Sequence, residues 1–213
     1  MTGETAAELS PVFCHAPVIL ASRSPARRRL LEAAGIPFEA RGVGVDEDAV
    51  KDAMLAEGAR PRDIADTLAE MKALRGASRA GPDALVIGSD QVLALDGVLY
   101  SKADTLDEAR ATLKALRGKR HELVTAVAVA KGGAVIWRHI ETPRLTMRDM
   151  SDQFLEDYLS AVGEDVLSSV GCYHLEGLGI HLMSKIEGDH FSVQGLPLLP
   201  LLQFLRDHGA LDQ

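Results

Sequence analysis

Short apolar runs along this chain alternate with longer segments in which apolar residues recur every three or four positions. The first run, residues 17–21, is rich in β-formers and ends in the polar sequence Ser22-Arg23-Ser24-Pro25, which predicts a strand followed by a loop. Ser24 is a favourable N-cap, Pro25 suits the first helical position and Gly35 supplies a stop. The pattern therefore predicts a helix over residues 25–34.

The following segments predict more extended chain and two more helices. Residues 37–45 are predicted to be extended. Asp46-Glu47-Asp48 then opens a helical pattern that runs to Gly58, and a third helix is predicted over residues 62–79.

A strand and a hairpin are predicted next. Residues 84–87 form an apolar strand that should end at Gly88-Ser89-Asp90, and residues 91–95 continue it up to Asp96-Gly97. Because Asp-Gly between apolar runs is the strongest short-range hairpin signal, residues 99–100 are predicted to begin the return strand.

The second half of the chain mixes the same two periods. The pattern predicts helices over residues 105–116, 151–162 and 197–206, antiparallel strands over 121–130 and 134–147, and mixed strand character over 173–186. This order predicts an α/β fold, a mixed sheet with flanking helices, rather than an all-parallel sheet. We expect residues 1–16 to be a lead-in and residues 17–213 to form a single domain.

Composition narrows the class of protein. With 213 residues, 46% of them hydrophobic and 25% charged, the chain can bury a substantial core. Its longest apolar stretches are shorter than the roughly 20 residues that a membrane span needs, and its N-terminus lacks the features of a secretory signal. Cys14 and Cys172 show no spacing typical of a disulfide framework or a zinc site. These features predict a cytoplasmic protein with no membrane partner.

Net charge limits the ligands further. The formal charge of −8 opposes non-specific binding to nucleic acid, because phosphate contacts need clustered cations, so no nucleic-acid partner is expected. A phosphate-bearing ligand would have to meet a local basic pocket. Residues 22–29 offer one, because a helix N-terminus, the hydroxyls of Ser22 and Ser24 and several arginines lie together there. The alternative is a capped surface helix with a solvated basic face.

Carboxylates supply the second candidate chemistry. Asp90, directly after a predicted buried strand and flanked by small residues, would lie at a sheet edge, where it could ligate Mg²⁺ or Mn²⁺ and orient a water. Glu47 is a candidate second metal ligand. A turn aspartate and an ordinary first-turn glutamate are the alternatives for these two residues.

Two lysines complete the set of candidates. Lys72, late in the third predicted helix, and Lys102, in the loop after the hairpin, could each place a point charge on a phosphate. Solvated surface lysines are the alternative. The chain contains neither GxxxxGK[ST] nor GxGxxG, so a P-loop or dinucleotide-binding fold has no support.

The order and spacing of these segments, taken together, resemble the Maf-like nucleotide pyrophosphatase family. The matching pieces span residues 20–209 and are, in order, LASRSPARRRLL, VDE, LAEMKA, GSDQV, SKADTLDEA, RGKRHELVTAVAV, MRDMS, EGLG, EGDH and QGLPLLPL. The resemblance implies a two-lobed fold with a central cleft, like that of Maf and inosine-triphosphatase-like proteins. It also implies a divalent cation, Mg²⁺ or Mn²⁺, and hydrolysis of nucleoside triphosphates to the monophosphate and pyrophosphate.

Site residues are carried over position by position. The resemblance places Asp90 on the family's catalytic aspartate, a proton acceptor close to the metal, and Glu47 on an acidic position associated with metal or water. The substrate-binding positions fall on Ser22, Arg27, Lys72 and Lys102. Such a set is chemically coherent, because cations and metal would neutralise charge on the leaving pyrophosphate while a carboxylate positions or deprotonates water.

The chain departs from the family pattern near the predicted phosphate contacts. Ala26 replaces the first arginine of SPRR, which puts one phosphate contact in doubt. Ser101 and Ala103 replace the usual Gly and Pro around Lys102, which leaves the geometry of that loop open. Ser169 stands where a lysine is usual.

Glu176, which replaces a glutamine, bears on the substrate. The GSDQV and EGLG forms resemble family members assigned to 7-methyl-GTP, whereas GADTV with a GxQG-type segment resembles those acting on dTTP and UTP. An N7-methylated guanine is cationic and its edge donates hydrogen bonds, so an anionic acceptor such as Glu176 could favour it over a pyrimidine. A solvated loop carboxylate is the alternative.

Other functions stay open at this point. The family has been linked to inhibition of septum formation, so the chain could be a nucleotide-binding regulator of cell division without turnover. A generic α/β domain without phosphate chemistry would require the ordered matches to be coincidence. The sequence does not determine the oligomeric state, although related proteins are often dimers and a homodimer is one expectation.

Overall fold

One sheet runs through the part of the chain that the structure describes. The structure is a computed structural model that describes residues 14–212. In chain order its elements are β1 (Val18–Leu20), α1 (Pro25–Ala33), β2 (Glu39–Ala40), α2 (Glu47–Ala56), α3 (Pro61–Ala77), β3 (Leu85–Leu95), β4 (Val98–Tyr100), α4 (Leu106–Leu116), β5 (Arg120–Lys131), β6 (Ala134–Glu141), β7 (Arg144–Met147), α5 (Asp152–Val162), β8 (Met183–Glu187), α6 (His190–Val193) and α7 (Leu198–Asp207). Segments of 3₁₀ helix cover Gly163–Ser168 and Leu178–Leu182.

The sheet is mixed. Its strands lie in the order β2-β1-β3-β5-β7-β8, with β4 beside β3 and β6 beside β5. β1 is parallel to β2 and to β3, whereas the other described pairs are antiparallel. The predicted mixed sheet with flanking helices is therefore confirmed, while the two-lobed shape stays a prediction.

The long central strand β3 has an opening along one side. On one edge it pairs with β5 from Val86 to Ala94. On the other edge, β1 pairs only with residues 85–87 and β4 only with residues 93–95. Within the described chain no strand covers residues 88–92 on that edge, because β1 ends at Leu20 and the chain turns there into α1. Asp90 lies at the centre of this opening.

Helix α3 packs closely against β3 because of a glycine. A Cβ at Gly88 would lie 2.2 Å from the carbonyl oxygen of Ala69 and 2.4 Å from the amide nitrogen of Ala73, so only glycine fits there. Side chains two residues apart in a strand point to the same face. Asp90 therefore faces α3, where it meets Lys72.

Buried apolar residues hold β3 from both faces. One cluster lies under α3, a second lies under α1 and α7 on the opposite face, and a third joins α4, α5 and β7. β3 contributes Val86 and Val92 to the first cluster, Leu85 and Ile87 to the second, and Leu93 and Leu95 to the third. The position of Asp90 is thus fixed by packing along the whole strand.

Predicted helix starts and the predicted hairpin are confirmed. The side chains of Ser24, Asp46, Thr105 and Ser151 accept hydrogen bonds from backbone amides in the first turns of α1, α2, α4 and α5. At the hairpin, Asp96 and Gly97 have φ values of 52° and 81°. Positive φ at both central residues is typical of the type I′ turn that Asp-Gly favours.

Three details of the sequence interpretation are wrong. The strand does not end at Gly88-Ser89-Asp90, because pairing with β5 continues through these residues. The predicted strand over residues 134–147 is interrupted around Pro143, whose nitrogen carries no hydrogen to donate, and becomes β6 and β7, both antiparallel to β5. Residues 173–182 contain turns and 3₁₀ helix instead of strand, and the short helix α6 had not been predicted.

Further expectations concern the termini, the thiols and the membrane. Residues 1–13 of the predicted lead-in lie outside the described part, and the single domain stays a prediction. Cys14 and the buried Cys172 are both free thiols, as their spacing indicated. Among the helices of residues 14–212, none combines the length and hydropathy that crossing a bilayer requires.

Candidate active site

A cleft of about 1210 Å³ opens beside residues 88–92 of β3. Ligand sites for small molecules commonly measure about 300–1,000 Å³, so this cleft has room for a nucleotide. Every site residue that the sequence singled out lies on its walls: Ser22, Arg27, Glu47, Lys72, Asp90, Lys102 and Glu176.

A lysine bridges the two predicted metal ligands. The Nζ atom of Lys72 lies 2.6 Å from Asp90 Oδ1 and 2.8 Å from Glu47 Oε1. Asp90 and Lys72 are only 3% and 6% exposed, whereas the side chain of Glu47 is 42% exposed to the cleft. The second oxygen of Asp90, Oδ2, is buried and has no hydrogen-bond partner among the described residues. That oxygen is the group in this cluster that a ligand could satisfy.

The two carboxylates differ in proton affinity. Burial raises the pKa of Asp90 above its ordinary value, although the charges of Lys72 and Arg27 oppose the shift. Burial acts in the same direction on Glu47, but the charge and hydrogen bond of Lys72 outweigh it and hold the pKa of Glu47 below its ordinary value. Asp90 is therefore the better proton acceptor of the pair.

The N-terminus of α1 also lines the cleft and carries a buried arginine. Arg27, 8% exposed, donates from Nε to the carbonyl oxygen of Gly195 at 2.7 Å and from Nη1 to Ser22 Oγ at 3.2 Å. Ser22 Oγ also accepts from the amide of Ser24 at 3.2 Å. Burial lowers the pKa of Arg27, opposed by Asp90 and Glu47, but a guanidinium remains charged at neutral pH.

Lys102 contributes a third cation at the cleft. Its partial removal from water lowers the pKa of Lys102; Glu47 opposes this shift and Arg27 adds to it. The loop that carries it is anchored by Ala103, which is 6% exposed in the core, and by the amide of Asp104, which donates to Glu108 of α4 at 2.9 Å. The departures at residues 101 and 103 thus leave Lys102 in the cleft.

Ser169 and Glu176 lie on the wall formed by residues 168–179. Ser169 Oγ donates to the carbonyl oxygen of Tyr173 at 2.8 Å, so this serine holds its own loop together. Glu176 Oε1 accepts a hydrogen bond from Arg29 of α1 at 2.8 Å. The carboxylate proposed to face a base is therefore already paired with a cation across the cleft mouth.

The motif around Asp90 contains two further polar residues whose contacts sequence reasoning missed. Ser89 and Gln91 point to the face opposite Asp90 and form hydrogen bonds to residues 192–195. The alternation of successive side chains between the two faces of a strand was the signal that could have placed them opposite Asp90. It was not applied across Ser89 because the strand was predicted to end at Gly88-Ser89-Asp90 and to continue only from Gln91.

A divalent cation fits these residues only together with other ligands. No group of three or more His, Cys, Asp and Glu side chains within residues 14–212 is arranged to hold a metal. Mg²⁺, however, is commonly held by one or two carboxylates with water and substrate phosphates. Asp90, whose buried Oδ2 has no partner within residues 14–212, and the half-exposed Glu47 match that donor set.

The N-terminus of α1, the cations Arg27, Lys72 and Lys102, and the carboxylates Asp90 and Glu47 line one cleft of an α/β fold, a combination that suits a polyphosphate ligand. The family model described as Maf-like protein matches residues 17–208, and the chain belongs to this family.

Similar proteins carry consistent names. The "Nucleoside triphosphate pyrophosphatase" of Granulibacter bethesdensis is 55% identical over 194 residues, which cover 91% of this chain and 98% of that protein. The "7-methyl-GTP pyrophosphatase" of Rhizobium meliloti is 48% identical over 195 residues, 92% of this chain and 98% of that protein. Among solved structures, a "Nucleoside-triphosphatase / dITP/XTP pyrophosphatase" from Mycobacterium abscessus matches 63% of this chain and 75% of that chain with 17% identity and a TM-score of 0.37, which is too low to support an argument.

Proposed function

We propose that this protein is a nucleoside triphosphate pyrophosphatase that consumes one water and releases a nucleoside monophosphate and pyrophosphate. The observation that carries the proposal is the ion-paired group of buried Asp90, buried Lys72 and half-exposed Glu47, which lines one nucleotide-sized cleft together with Arg27 and Lys102. Membership of the Maf-like family and the names of similar proteins support the same reaction. House-cleaning of modified or non-standard nucleotides is the role we assign to it.

The cations would bind the phosphates and stabilise the leaving group. Arg27 offers a fixed guanidinium at a helix N-terminus, and Lys102 offers a point charge at the same cleft. When the α–β bond breaks, negative charge grows on the departing pyrophosphate. Positive groups held in place before the reaction stabilise this charge without further reorganisation.

Asp90 would accept the proton of the attacking water. Its raised pKa makes it a stronger base than an ordinary aspartate, and its Oδ2 atom has no competing partner among the described residues. Lys72 holds the other oxygen, Oδ1, at 2.6 Å and so fixes the orientation of the carboxylate. Glu47 balances the charge of Lys72 from the cleft side.

We assign a divalent cation, Mg²⁺ or Mn²⁺, to Asp90 and Glu47. Bound there with the substrate phosphates, the ion would supply Lewis-acid neutralisation of phosphate charge. The support is the donor set described above: two carboxylates, one of which has a buried oxygen with no partner in the described part of the chain.

The preferred base is the finer part of the proposal. A similar protein is named 7-methyl-GTP pyrophosphatase, which supports that nucleotide as substrate. Glu176, the proposed acceptor for the cationic base, is paired with Arg29, so part of its charge is already neutralised. A dTTP or UTP preference is the alternative within the same reaction.

A nucleotide panel tests the proposal. Purified protein with Mg²⁺ or Mn²⁺ would be given 7-methyl-GTP, GTP, dTTP, UTP and CTP, and the products would be separated by chromatography. We expect equal amounts of monophosphate and pyrophosphate from at least one nucleotide. Release of diphosphate and orthophosphate would refute the cleavage site. Binding without products would favour a nucleotide-binding regulator of cell division.

Location and assembly form part of the same proposal. The cytoplasm, where nucleoside triphosphates are made and used, is the location that this activity requires. A homodimer is the assembly we expect from the family, with no nucleic acid or membrane as partner.

A further inference from the structure

Arg27 is supported from behind by a turn distant in sequence. This segment, here called the C-terminal turn, comprises residues 192–195: the last two residues of α6 and the two residues that follow. The carbonyl oxygen of its last residue, Gly195, accepts from Arg27 Nε at 2.7 Å. Gly195 has a φ of +99°, and a Cβ there would lie 3.4 Å from Arg27 Nε. The guanidinium therefore rests against this backbone, and its position depends on where the turn lies.

Strand β3 contacts the same carbonyl oxygen through Ser89. Ser89 is fully buried, and its Oγ lies 2.9 Å from the oxygen of Gly195 and 2.8 Å from that of Ala126 in β5. The single hydroxyl proton is shared between these acceptors. Since a carbonyl oxygen has two lone pairs, Gly195 can accept from Ser89 and Arg27 together.

Gln91 holds the start of the turn. Its Nε2 lies 3.0 Å from the carbonyl oxygen of Ser192, 3.1 Å from that of Val193 and 2.8 Å from Thr125 Oγ1. Thr125, also fully buried, donates to the oxygen of Ser192 at 2.9 Å. The turn is thereby tied at both ends to the two central strands of the sheet.

Asp189 fixes the turn from the other side. Its Oδ2 accepts from the amide of Ser192 at 2.6 Å and from the Ser192 hydroxyl at 2.7 Å. The polar groups that face the turn are therefore satisfied, which makes the network rigid.

We propose that Ser89 and Gln91 are positioning residues for phosphate binding, which act through the C-terminal turn on Arg27. The inference rests on the proposed function, because that function assigns Arg27 to the phosphates. Ser89 cannot touch a ligand itself, since it is fully buried on the face opposite Asp90. Residues 89–91 of β3 thus place the proton acceptor Asp90 on one face of the strand and the two side chains that support Arg27 on the other. The strand thereby keeps a constant spacing between Asp90 and Arg27.

A double-mutant cycle tests this coupling. The binding of inorganic triphosphate with Mg²⁺ would be measured calorimetrically for the unsubstituted protein and for the single variants Ser89→Ala, Gln91→Met and Arg27→Gln. The two double variants combine Arg27→Gln with Ser89→Ala or with Gln91→Met. Ser89→Ala and Gln91→Met should each loosen the Arg27 side chain and so weaken triphosphate binding by about 3- to 10-fold. In the Arg27→Gln background the same substitutions should change binding by less than about twofold, because the group they position is gone.

Kinetics and a matched serine provide the controls. Ser89→Ala should raise KM for the hydrolysed nucleotide and leave kcat within about twofold, since Asp90 keeps its place. Ser184→Ala, which removes a hydroxyl that donates to a backbone carbonyl in β7 at 3.1 Å, should change neither value.

The outcomes separate this inference from the proposed function. Additive losses in the cycle, or unchanged binding in both single variants, would overturn it, as would failure of the unsubstituted protein to bind triphosphate. If Ser89→Ala does not fold, Gln91→Met decides by the same criteria. A coupled cycle in a protein that releases no pyrophosphate from any nucleotide would uphold the inference and refute the enzymatic function.

Discussion

At the cleft, Lys72 joins the buried carboxylate of Asp90 to Glu47, whereas inside the core His121 Nε2 lies 2.6 Å from the hydroxyl of Tyr173. Both groups are buried and each contains one atom without a partner among the described residues: Asp90 Oδ2 and His121 Nδ1. Their charge states differ. Burial lowers the pKa of His121 to about 4, so the core pair is neutral at pH 7. In the cleft group, burial raises the pKa of Asp90, whereas the charge and hydrogen bond of Lys72 hold the pKa of Glu47 below its ordinary value.

The two groups differ in location: the buried charged residues line the cleft, and the neutral pair lies in the core. Ion pairs in a protein interior are often no more stable than apolar residues of similar size, so they contribute little to stability alone. The charged group lies only at the opening in β3, where a ligand can reach it, and the neutral group lies within the apolar cluster of α4, α5 and β7. Retained buried charge therefore points to chemistry, and the neutral pair to packing.

The largest effect should come from Asp90→Asn. The amide keeps the size of the side chain but cannot accept the proton of water at neutral pH, so kcat should fall by about 10³-fold or more. Pyrophosphate release measures the loss, and circular dichroism checks the fold. Retention of near-normal turnover with Mg²⁺ or Mn²⁺ present would show that the base has been assigned to the wrong residue.

Lys72→Met should damage stability as well as catalysis. It leaves the carboxylate of Asp90, 3% exposed, without its closest cation, which should cost about 4 kcal/mol of unfolding free energy in urea titrations. The double variant Lys72→Met/Asp90→Asn removes the unpaired charge and should recover most of this stability but no activity. A double variant as unstable as the single one would mean that the loss comes from packing of the lysine stem.

Much of the fold could be predicted because its signals are local. Ser24, Asp46 and Ser151 mark helix starts by side chains that cap the amide three residues later, and Asp96-Gly97 marks the hairpin by its own backbone preference. The prediction that the strand ends at residues 88–90 was wrong because small and polar residues are also typical of turns. The conformation of residues 88–90 is determined instead by pairing with Ala126, Val127 and Ala128 of β5, which are about 38 positions away.

In the candidate site, too, some residues could be predicted from the sequence and others could not. The cations and carboxylates could be predicted from the order of the motifs, since the resemblance compares whole segments. The C-terminal turn could not, because contacts such as Ser89 to Gly195 join residues 106 positions apart and leave no local signal. Nor could the pairing of Arg29 with Glu176, which are 147 positions apart.

Acid should weaken the core through His121. Its pKa is about 4 in the folded protein against 6.5 for an ordinary histidine, so between these values the unfolded chain binds a proton that the folded protein does not. Stability from this group is present above pH 6.5 and is lost as pH falls toward 4, by up to about 3 kcal/mol. Urea titrations of the unsubstituted protein and of His121→Gln between pH 7 and 4 measure the difference.

A control histidine separates this effect from general acid sensitivity. His181 is exposed, so His181→Gln should leave the pH dependence of stability unchanged. The assignment fails if His121→Gln unfolds with the same pH dependence as the unsubstituted protein.

The smallest effect should come from the exposed pair at the cleft mouth, Arg29 and Glu176, whose side chains are 58% and 30% exposed. Exposed ion pairs are worth less than about 1 kcal/mol, so Arg29→Gln should hardly change stability. It should free the Glu176 carboxylate for a cationic base and raise the kcat/KM ratio of 7-methyl-GTP to GTP by about threefold, while Glu176→Gln should lower it similarly. Arg28→Gln, an exposed neighbour on the same helix, is the matched control. If Arg29→Gln and Glu176→Gln both leave the ratio unchanged, Glu176 does not contribute to recognition of the nucleotide base. The exposed ion pair would then differ from the buried Asp90 in having no part in the reaction.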